Sequence, residues 1–320
     1  MLLKGILLFV LILFSALLLF ILSVHLGARI LSDVTLNRSM PKFLSKRGNM
    51  LSGVTGSDEF SNFLFEKEKG LKDKKTRDVQ IIGHGGVPLM GHILIPDKPK
   101  RVIIAVHGWR GSWSRDFGLV SDFWYSSDAA VIYVEQRGQQ ESGGDYITFG
   151  LCERYDVIAW ARWAAEKFRG LPIYLCGISM GASSVLMTAD LELPYEVRGI
   201  IADSGFTSPT DIWSYVVNHN LHLPYNLYKR ATGRICRRKI GFSPDDCSTL
   251  TALEKCKIPV LFIHGTEDSF VPVEMTYKNF NACNSPKRLF VVPGANHCMC
   301  YYLDKQGYEN QMSSFWQEYD

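Results

Sequence analysis

A single serine flanked by glycines is the first feature of this sequence that suggests chemistry. Residues Gly177–Gly181 read Gly-Ile-Ser-Met-Gly, directly after the apolar run Ile173–Cys176 and directly before the small residues Ala182–Ser184. This pattern predicts a strand, a tight turn and a helix, with the hydroxyl of Ser179 projecting from the turn. The helix N-terminus favours negative charge at that point. The motif therefore predicts a nucleophile at Ser179, and a glycine-rich turn without chemistry is the alternative.

A base and an orienting acid for this serine are found farther along the chain. A serine hydroxyl needs a base, and a histidine base needs a carboxylate that orients it. Asp268 and His297 each follow an apolar run that reads as a strand, so both are expected on loops at the carboxyl ends of strands. Their order after Ser179 is serine, acid, histidine. Ser179, Asp268 and His297 are therefore the predicted triad, with Glu267 and Asp203 as alternative acids.

Acyl transfer also needs hydrogen-bond donors for the oxyanion. The backbone N–H of Met180, directly after the nucleophile, is the first candidate. The second is the backbone N–H of Trp109, in the loop His107–Gly111 that follows a strand. The remaining histidines that we considered have structural explanations: two precede glycines at strand ends, and two lie in an irregular region. These are His107, His264, His219 and His222.

Composition excludes several classes of protein. The chain has 320 residues and a formal net charge of +3, which gives no electrostatic basis for nucleic-acid binding. Cys298 and Cys300 follow a histidine, but no second cysteine pair stands at zinc-site spacing. The predicted chemistry requires neither a metal ion nor an organic cofactor. We therefore expect a small-molecule ester or acyl substrate, no nucleic-acid partner and no cofactor.

Apolar strands alternate with helices from about residue 79 onwards. The predicted strands are Val79–Ile82, Leu89–Ile95, Arg101–Val106, Ala129–Glu135, Ile173–Gly177, Gly199–Ala202, Pro259–Ile263 and Arg288–Val292. The predicted helices are Glu153–Phe168, Ala182–Ala189 and Glu274–Phe280. This alternation predicts an α/β domain at 77–320, with a mostly parallel sheet, helices on both faces and an antiparallel N-terminal hairpin.

One stretch interrupts the alternation. Between 206 and 253 there is no clear strand, but aromatic-rich pieces occur around Trp213 and Tyr225. An insertion of roughly 45 residues in a compact domain usually has a function. We expect a small helical cap over the active site, in which Trp213 and Tyr225 bind substrate.

The N-terminal residues differ from the rest of the chain. Ile6–Val24 is apolar except for two serines, and at 1.5 Å per residue it spans roughly 28 Å, close to the hydrocarbon thickness of a bilayer. A cleavable signal peptide would have a shorter apolar region and a small-residue cleavage site, which 23–28 fits poorly. We therefore predict a single-pass membrane anchor at 1–28 and a basic connector at 29–76. A truncated chain that starts near residue 30 should then be soluble and active.

The side of the membrane that carries the domain is not decided by charge. Lys4 stands before the apolar segment, whereas Arg29, Arg38 and Lys42 follow it. The cations after the segment favour a cytoplasmic domain under the positive-inside rule. A very short N-terminal tail with a lysine favours an outward-facing domain. Both sides remain open.

Taken in order, these motifs resemble the α/β-hydrolase superfamily from about residue 79 to the end. The matching motifs are His107-Gly108, Gly177–Gly181, His264–Asp268 and Gly294–His297. The loop Arg137–Gly150 resembles that of a membrane-anchored bacterial branch, described as serine-aminopeptidase-like or dienelactone-hydrolase-like. The usual Asp-x-Arg-Gly-x-Gly-x-Ser form is altered, with Glu135 for aspartate and Gln140 for the second glycine. The resemblance implies a reaction type and little about specificity.

The residues and the resemblance together predict a serine hydrolase at the cell membrane that cleaves a carboxylic ester through an acyl-enzyme. A peptidase or a thioesterase with the same triad is one alternative. A membrane-bound scaffold that keeps the fold without turnover is another. Fluorophosphonate labelling separates the enzymes from the scaffold, because only an activated serine reacts.

Overall fold

The computed structural model describes residues 2–39 and 58–320. In this part of the chain there are eight strands: β1 (Arg77–Ile82), β2 (Pro88–Leu94), β3 (Arg101–Val106), β4 (Ala129–Val134), β5 (Ile173–Ile178), β6 (Val197–Asp203), β7 (Val260–Gly265) and β8 (Lys287–Val292). Each lies within about two residues of a predicted strand, which is the usual uncertainty of element ends.

All eight strands form one sheet in the order β1-β2-β4-β3-β5-β6-β7-β8. β1 pairs with β2 and β2 with β4 in antiparallel fashion, and every remaining pair is parallel. The predicted antiparallel hairpin and the parallel sheet are therefore confirmed. The carboxyl ends of the parallel strands meet at one edge, where the loops that follow them come together.

Helices cover both faces of the sheet. They are α1 (Leu2–Leu36), α2 (Asp58–Lys72), α3 (Trp113–Phe117), α4 (Ser121–Ser126), α5 (Glu153–Lys167), α6 (Met180–Leu186), α7 (Pro209–Tyr215), α8 (Tyr225–Ile240), α9 (Thr249–Leu253), α10 (Val273–Ala282), α11 (Cys300–Leu303) and α12 (Lys305–Tyr319). A π-helical turn follows α7 at Val216–Asn220.

The core lies on both sides of the central strands. β3 is entirely buried, and its side chains alternate between the two faces. Val102, Ile104 and Val106 belong to the apolar cluster with residues of α5 and α6, whereas Ile103 and Ala105 belong to the cluster on the other face with residues of α3 and α12. A strand that is buried on both faces is continuously apolar, which explains why no polar residue interrupts it.

The N-terminal helix is longer than the predicted anchor. α1 runs without a break to Leu36, eight residues past the expected boundary at residue 28. Its side chains are exposed along the apolar part, but Ala28, Ser32 and Leu36, spaced four apart, are fully buried. The predicted connector at 29–76 therefore begins as docked helix and ends in α2, and its residues 40–57 lie outside the described part.

In length and composition α1 qualifies as a membrane span, and a signal sequence near an N-terminus has the same properties. The insertion at 206–253, called the cap below, consists of α7, the π-helical turn, α8 and α9. Its Trp213 stacks edge-on against Phe149 with ring centroids 5.2 Å apart, which joins the cap to the domain. The helical character expected for this insertion is confirmed.

Candidate active site

The predicted nucleophile sits on a strained turn between β5 and α6. Ser179 has φ 55° and ψ −119°, a conformation that non-glycine residues rarely adopt. Its backbone N–H donates to the carbonyl of Asp203 (2.8 Å), and its carbonyl accepts from the N–H of Ser183 (3.1 Å). These bonds hold the serine at the carboxyl edge of the sheet.

The two glycines of the motif allow the helix to pass close to the sheet. A Cβ on Gly177 would lie 2.3 Å from the carbonyl oxygen of Gly181. A Cβ on Gly181 would lie 1.9 Å from the carbonyl oxygen of Val106 in β3. Both obstacles are backbone atoms, so no side-chain movement relieves them.

Ser179, His297 and Asp268 form a hydrogen-bonded chain. His297 Nε2 lies 2.9 Å from Ser179 Oγ, and His297 Nδ1 lies 2.7 Å from Asp268 Oδ2. All three side chains are buried. Because a carboxylate only accepts, Nδ1 carries the proton, which leaves Nε2 free to accept the proton of the serine hydroxyl.

Asp268 is held as an anion. Its Oδ1 accepts from the backbone N–H groups of Phe270 (3.0 Å) and Val271 (2.8 Å). Burial disfavours its charged form, but the charge of His297 and the hydrogen bonds from His264 and His297 outweigh burial and keep the pKa of Asp268 well below its usual range. The carboxylate is thus ready to stabilise a protonated His297.

The two alternative acids are not placed against the histidine. Glu267 is exposed to solvent. Asp203 is buried and accepts from Ser204 Oγ at 2.9 Å, and burial raises its pKa to about 6. In the described part of the chain, Asp268 is the acid that contacts His297.

A second histidine, which sequence reasoning treated as merely structural, also binds this carboxylate. His264 Nε2 lies 3.0 Å from Asp268 Oδ2 and 2.9 Å from the carbonyl oxygen of Val271. Its Nδ1 lies 2.7 Å from the hydroxyl of Thr276, and the ring is fully buried. Asp268 Oδ2 therefore lies between two imidazoles. The four-residue spacing within His264–Asp268 is the signal that could have suggested this contact.

Replacing His264 by leucine is expected to lower kcat about tenfold with little change in KM, because Asp268 loses a donor and orients His297 less well. The measurement is steady-state hydrolysis of a chromogenic ester. His219→Leu, an exposed cap position, is the control and should leave both constants unchanged. Equal kcat values for the His264 variant and the wild type would show that the second imidazole has no effect on the reaction.

One predicted oxyanion donor follows the nucleophile directly in the chain, and the other lies in a loop that approaches it. Met180 begins α6, so its N–H has no intrahelical acceptor. The loop with Trp109 approaches from β3: a Cβ on Gly108 would lie 3.3 Å from Ser179 Cβ. Asp116 Oδ2 accepts the Gly108 N–H at 2.8 Å and fixes that loop. Within residues 2–39 and 58–320, neither the Trp109 nor the Met180 amide has a protein acceptor.

An apolar cavity of about 90 Å³ opens beside Ser179. Its walls come mainly from α1, the loop with Trp109, the cap and the loop after β7. They comprise Leu31, Val34, Thr35, Trp109, Phe149, Ser179, Met180, Phe206, Ile212, Trp213, Val216, Leu221 and Phe270. Trp213 thus lies where a substrate-binding residue was expected. Tyr225 does not: it is buried in the same apolar cluster as Leu36 and Trp213 and does not line the cavity. Tyr225, the first residue of α8, therefore contributes to the packing of the cap and does not contact a substrate in the cavity.

The residues that sequence reasoning missed altogether come from α1. Leu31, Val34 and Thr35 stand at i, i+3 and i+4, on one face of the helix. Their spacing was visible in the sequence, but they follow the predicted membrane anchor directly, where apolar residues are expected without any role in a site. No cluster of three or more potential metal-binding side chains occurs among the described residues.

Comparisons with known proteins agree with this architecture. A family model described as serine aminopeptidase, S33, matches residues 97–238. The chain is 25% identical over 232 residues to the uncharacterized protein YqkD of Bacillus subtilis (strain 168), which covers 72% of this chain and 75% of that protein. The esterase Pf2001 of Pyrococcus furiosus superposes with a TM-score of 0.60 at 21% identity, over 78% of this chain and 92% of its own. Est1E from Butyrivibrio proteoclasticus, solved with ferulic acid, gives a TM-score of 0.57 at 20% identity, over 75% and 98%.

The strand order, the strained serine turn and these structural neighbours show that the domain has the α/β-hydrolase fold. Residues 97–238 are similar to the serine aminopeptidase family S33. The α/β-hydrolase fold that the motifs implied is confirmed.

Proposed function

We propose that this chain is a serine hydrolase that cleaves a carboxylic ester through an acyl-enzyme, and that α1 anchors it in a membrane. The observation that carries the proposal is the hydrogen-bonded chain Ser179–His297–Asp268 on a strained turn. Neighbouring structures that are named esterases support the choice of substrate.

The first half of the reaction forms the acyl-enzyme. His297 Nε2 takes the proton of Ser179 as Oγ attacks the ester carbonyl. The backbone N–H groups of Met180 and Trp109 stabilise the oxyanion of the tetrahedral intermediate. The protonated His297, paired with Asp268, then gives its proton to the leaving alkoxide, and the alcohol departs.

The second half hydrolyses the acyl-enzyme. A water molecule gives a proton to His297 Nε2 and attacks the acyl carbonyl. The C–O bond to Ser179 breaks, and the proton returns to Oγ. The products are a carboxylic acid and an alcohol, with no change in oxidation state.

The lining of the cavity favours an ester over an N-terminal peptide substrate. A substrate ammonium group needs a carboxylate or several acceptors to replace its hydration. None of the side chains that line the described cavity beside Ser179 is an aspartate or glutamate. A thioester uses the same triad and meets the same apolar walls, so it is the second substrate class to include in a test.

The packing of α1 supports a retained anchor. A leader that is removed contributes nothing to the folded domain, whereas the end of α1 is buried in this one. The helix is also continuous through Gly27, where an added Cβ would lie 2.6 Å from the ring of Tyr228 in the cap. A cut near residue 28 would sever a helix at the place where it docks.

One experiment tests both parts of the proposal. Membranes that contain the full-length protein are washed with alkaline carbonate, and the pellet is treated with a fluorophosphonate probe. The intact chain should remain in the pellet and be labelled at Ser179. The same membranes should hydrolyse p-nitrophenyl esters faster than aminoacyl p-nitroanilides or acyl thioesters.

Each failure has its own meaning. An unlabelled protein would point to a scaffold without an activated serine. A labelled protein with a preference for aminoacyl anilides would be a peptidase. A mature chain that lacks the first 25–30 residues would show that the N-terminal segment is a leader rather than an anchor.

A further inference from the structure

The end of the anchor helix is built into the catalytic domain. In α1, Ala28, Ser32 and Leu36 face the rest of the protein and are fully buried. Lys239, at the end of α8, donates to the side chains of Asp33 and Asn37 at 2.6 Å each. The helix α1 and the longest cap helix, α8, therefore lie side by side, and they are in contact from Gly27 to the end of α1.

The same end of α1 is bonded to the loop that carries an oxyanion donor. The indole N–H of Trp109 donates to the carbonyl of Thr35 (3.0 Å). The guanidinium of Arg110 donates to the carbonyls of Val34 (2.9 Å) and Asn37 (2.6 Å). The last carbonyls of a helix have no intrahelical partner and attract a cation, so these bonds are favourable for both partners. The position of the Trp109 amide is thus tied to α1.

α1 also closes the cavity beside the nucleophile. Leu31 and Val34 line it together with Phe149 and Trp213. The rim is formed by Leu221, which lines the cavity and is 51% exposed. An apolar chain attached to Ser179 therefore meets apolar side chains from the cavity to its rim.

The rim continues as an apolar surface beside the helix. Leu223 and Leu227, near the start of α8, are each 45% exposed. Tyr228, the next residue, meets α1 at Gly27, just after the exposed apolar part of the helix. Exposed leucines in this arrangement are typical of a surface that contacts membrane lipid.

The distance along α1 from Gly27 to the residues that line the cavity is short. Residues 31–35 lie four to eight positions past Gly27, which is about 6–12 Å at 1.5 Å per residue. The headgroup layer on each side of a bilayer is about 5–8 Å thick. An acyl chain that leaves the hydrocarbon region therefore has to move by little more than the thickness of the headgroup layer to reach the cavity.

We infer that α1 is a wall of the acyl-binding site, and that the substrate is a membrane-resident ester whose apolar acyl chain enters between α1 and Leu221. The inference rests on the proposed ester hydrolase activity and adds the source and chemical class of the substrate. It also revises the expectation for a truncated chain that starts near residue 30. Such a chain would lose most of the helix that holds the wall in place, so its activity should fall.

The first test fills the cavity from α1. Full-length protein in detergent is assayed with p-nitrophenyl acetate and p-nitrophenyl octanoate, and the ratio of the two kcat/KM values is taken. Val34→Phe should lower the octanoate-to-acetate ratio about tenfold, because the added ring occupies the space of the longer chain. Ile30→Phe, an exposed position one turn earlier on the same helix that does not line the cavity, is the matched control and should leave the ratio unchanged.

The ratio separates the inference from the function on which it rests. Misfolded protein lowers both rates alike and leaves the ratio as it was, so a partly unfolded variant does not imitate the expected result. If neither ester is hydrolysed and no fluorophosphonate labelling occurs, the proposed hydrolase function fails. Suppose that both esters are hydrolysed and that the octanoate-to-acetate ratio of Val34→Phe lies within twofold of that of Ile30→Phe. The assignment of α1 as a wall of the site is then wrong, whereas the proposed hydrolase function stands.

The second test concerns the source of the substrate. The full-length protein is reconstituted into phosphatidylcholine vesicles that contain a long-chain fluorogenic ester, or into ester-free vesicles that are mixed with ester-loaded ones. Hydrolysis should be at least about tenfold faster when protein and ester share a bilayer, because the acyl chain need not cross water. Equal rates in the two arrangements would show that the substrate arrives from solution.

Discussion

Replacing Ser179 by alanine is expected to lower kcat roughly 10⁴-fold or more while the fold is kept, because the members of a triad act as a unit. His297→Ala should have a comparable effect, and Asp268→Asn a somewhat smaller one. The assay is hydrolysis of a chromogenic ester by the purified full-length protein. The thermal unfolding midpoint of each variant shows that folded protein is being compared.

A serine on the helix that follows the nucleophile provides the control for this series. Ser184 is buried one turn farther along α6, where its hydroxyl donates to the carbonyl of Met180, and it does not contact His297. Ser184→Ala should keep kcat within tenfold of the wild type. A Ser179→Ala variant that kept its activity within the same range would show that another group is the nucleophile.

The second large effect is on stability. Gly181→Ala should destabilise the protein by about 3 kcal/mol or more, because the added Cβ would lie 1.9 Å from the carbonyl oxygen of Val106. The helix α6 has to move away from β3 to make room, and this opens the core. The unfolding midpoint should fall by about 6–10 °C.

Gly70→Ala is the matched control for that substitution. Gly70 lies in α2, and a Cβ there would have no neighbour within 4 Å. Alanine is the better helix former by about 1 kcal/mol, so this variant should be as stable as the wild type or slightly more stable. A midpoint for Gly181→Ala equal to that of Gly70→Ala would contradict the close approach of α6 and β3.

The arrangement of Ser179, His297 and Asp268 could be predicted from sequence because the position of each residue depends on a local pattern. An apolar run predicts a strand, and a residue in the short loop after any parallel strand lies at the carboxyl edge of the sheet. Ser179, Asp268 and His297 each follow such a run, and the structure brings their side chains within hydrogen-bond distance of one another. The choice of Asp268 over Glu267 depended on which carboxylate faces inward, which the structure describes directly.

The cavity was not accessible in the same way. The burial of Leu36 and Ser32 depends on α8, about 190 residues farther along the chain, and no local pattern records that contact. The apolar residues of α1 are equally suited to lipid and to protein. Tyr225 is the opposite case. Its aromatic side chain suggested a contact with substrate, but its neighbours bury it in the cap.

The unbroken course of α1 makes its length matter as much as its composition. Between the exposed apolar residues and the docked end there is no loop that could absorb an extra residue. One inserted residue near Leu26 would turn everything before it by about 100° about the helix axis and displace it by about 1.5 Å. Substitutions at the exposed positions keep this phase, whereas insertions and deletions change the direction in which the domain faces. In proteins that share this arrangement, the residue types in the exposed apolar part of α1 should therefore vary freely, whereas the number of residues in it should not.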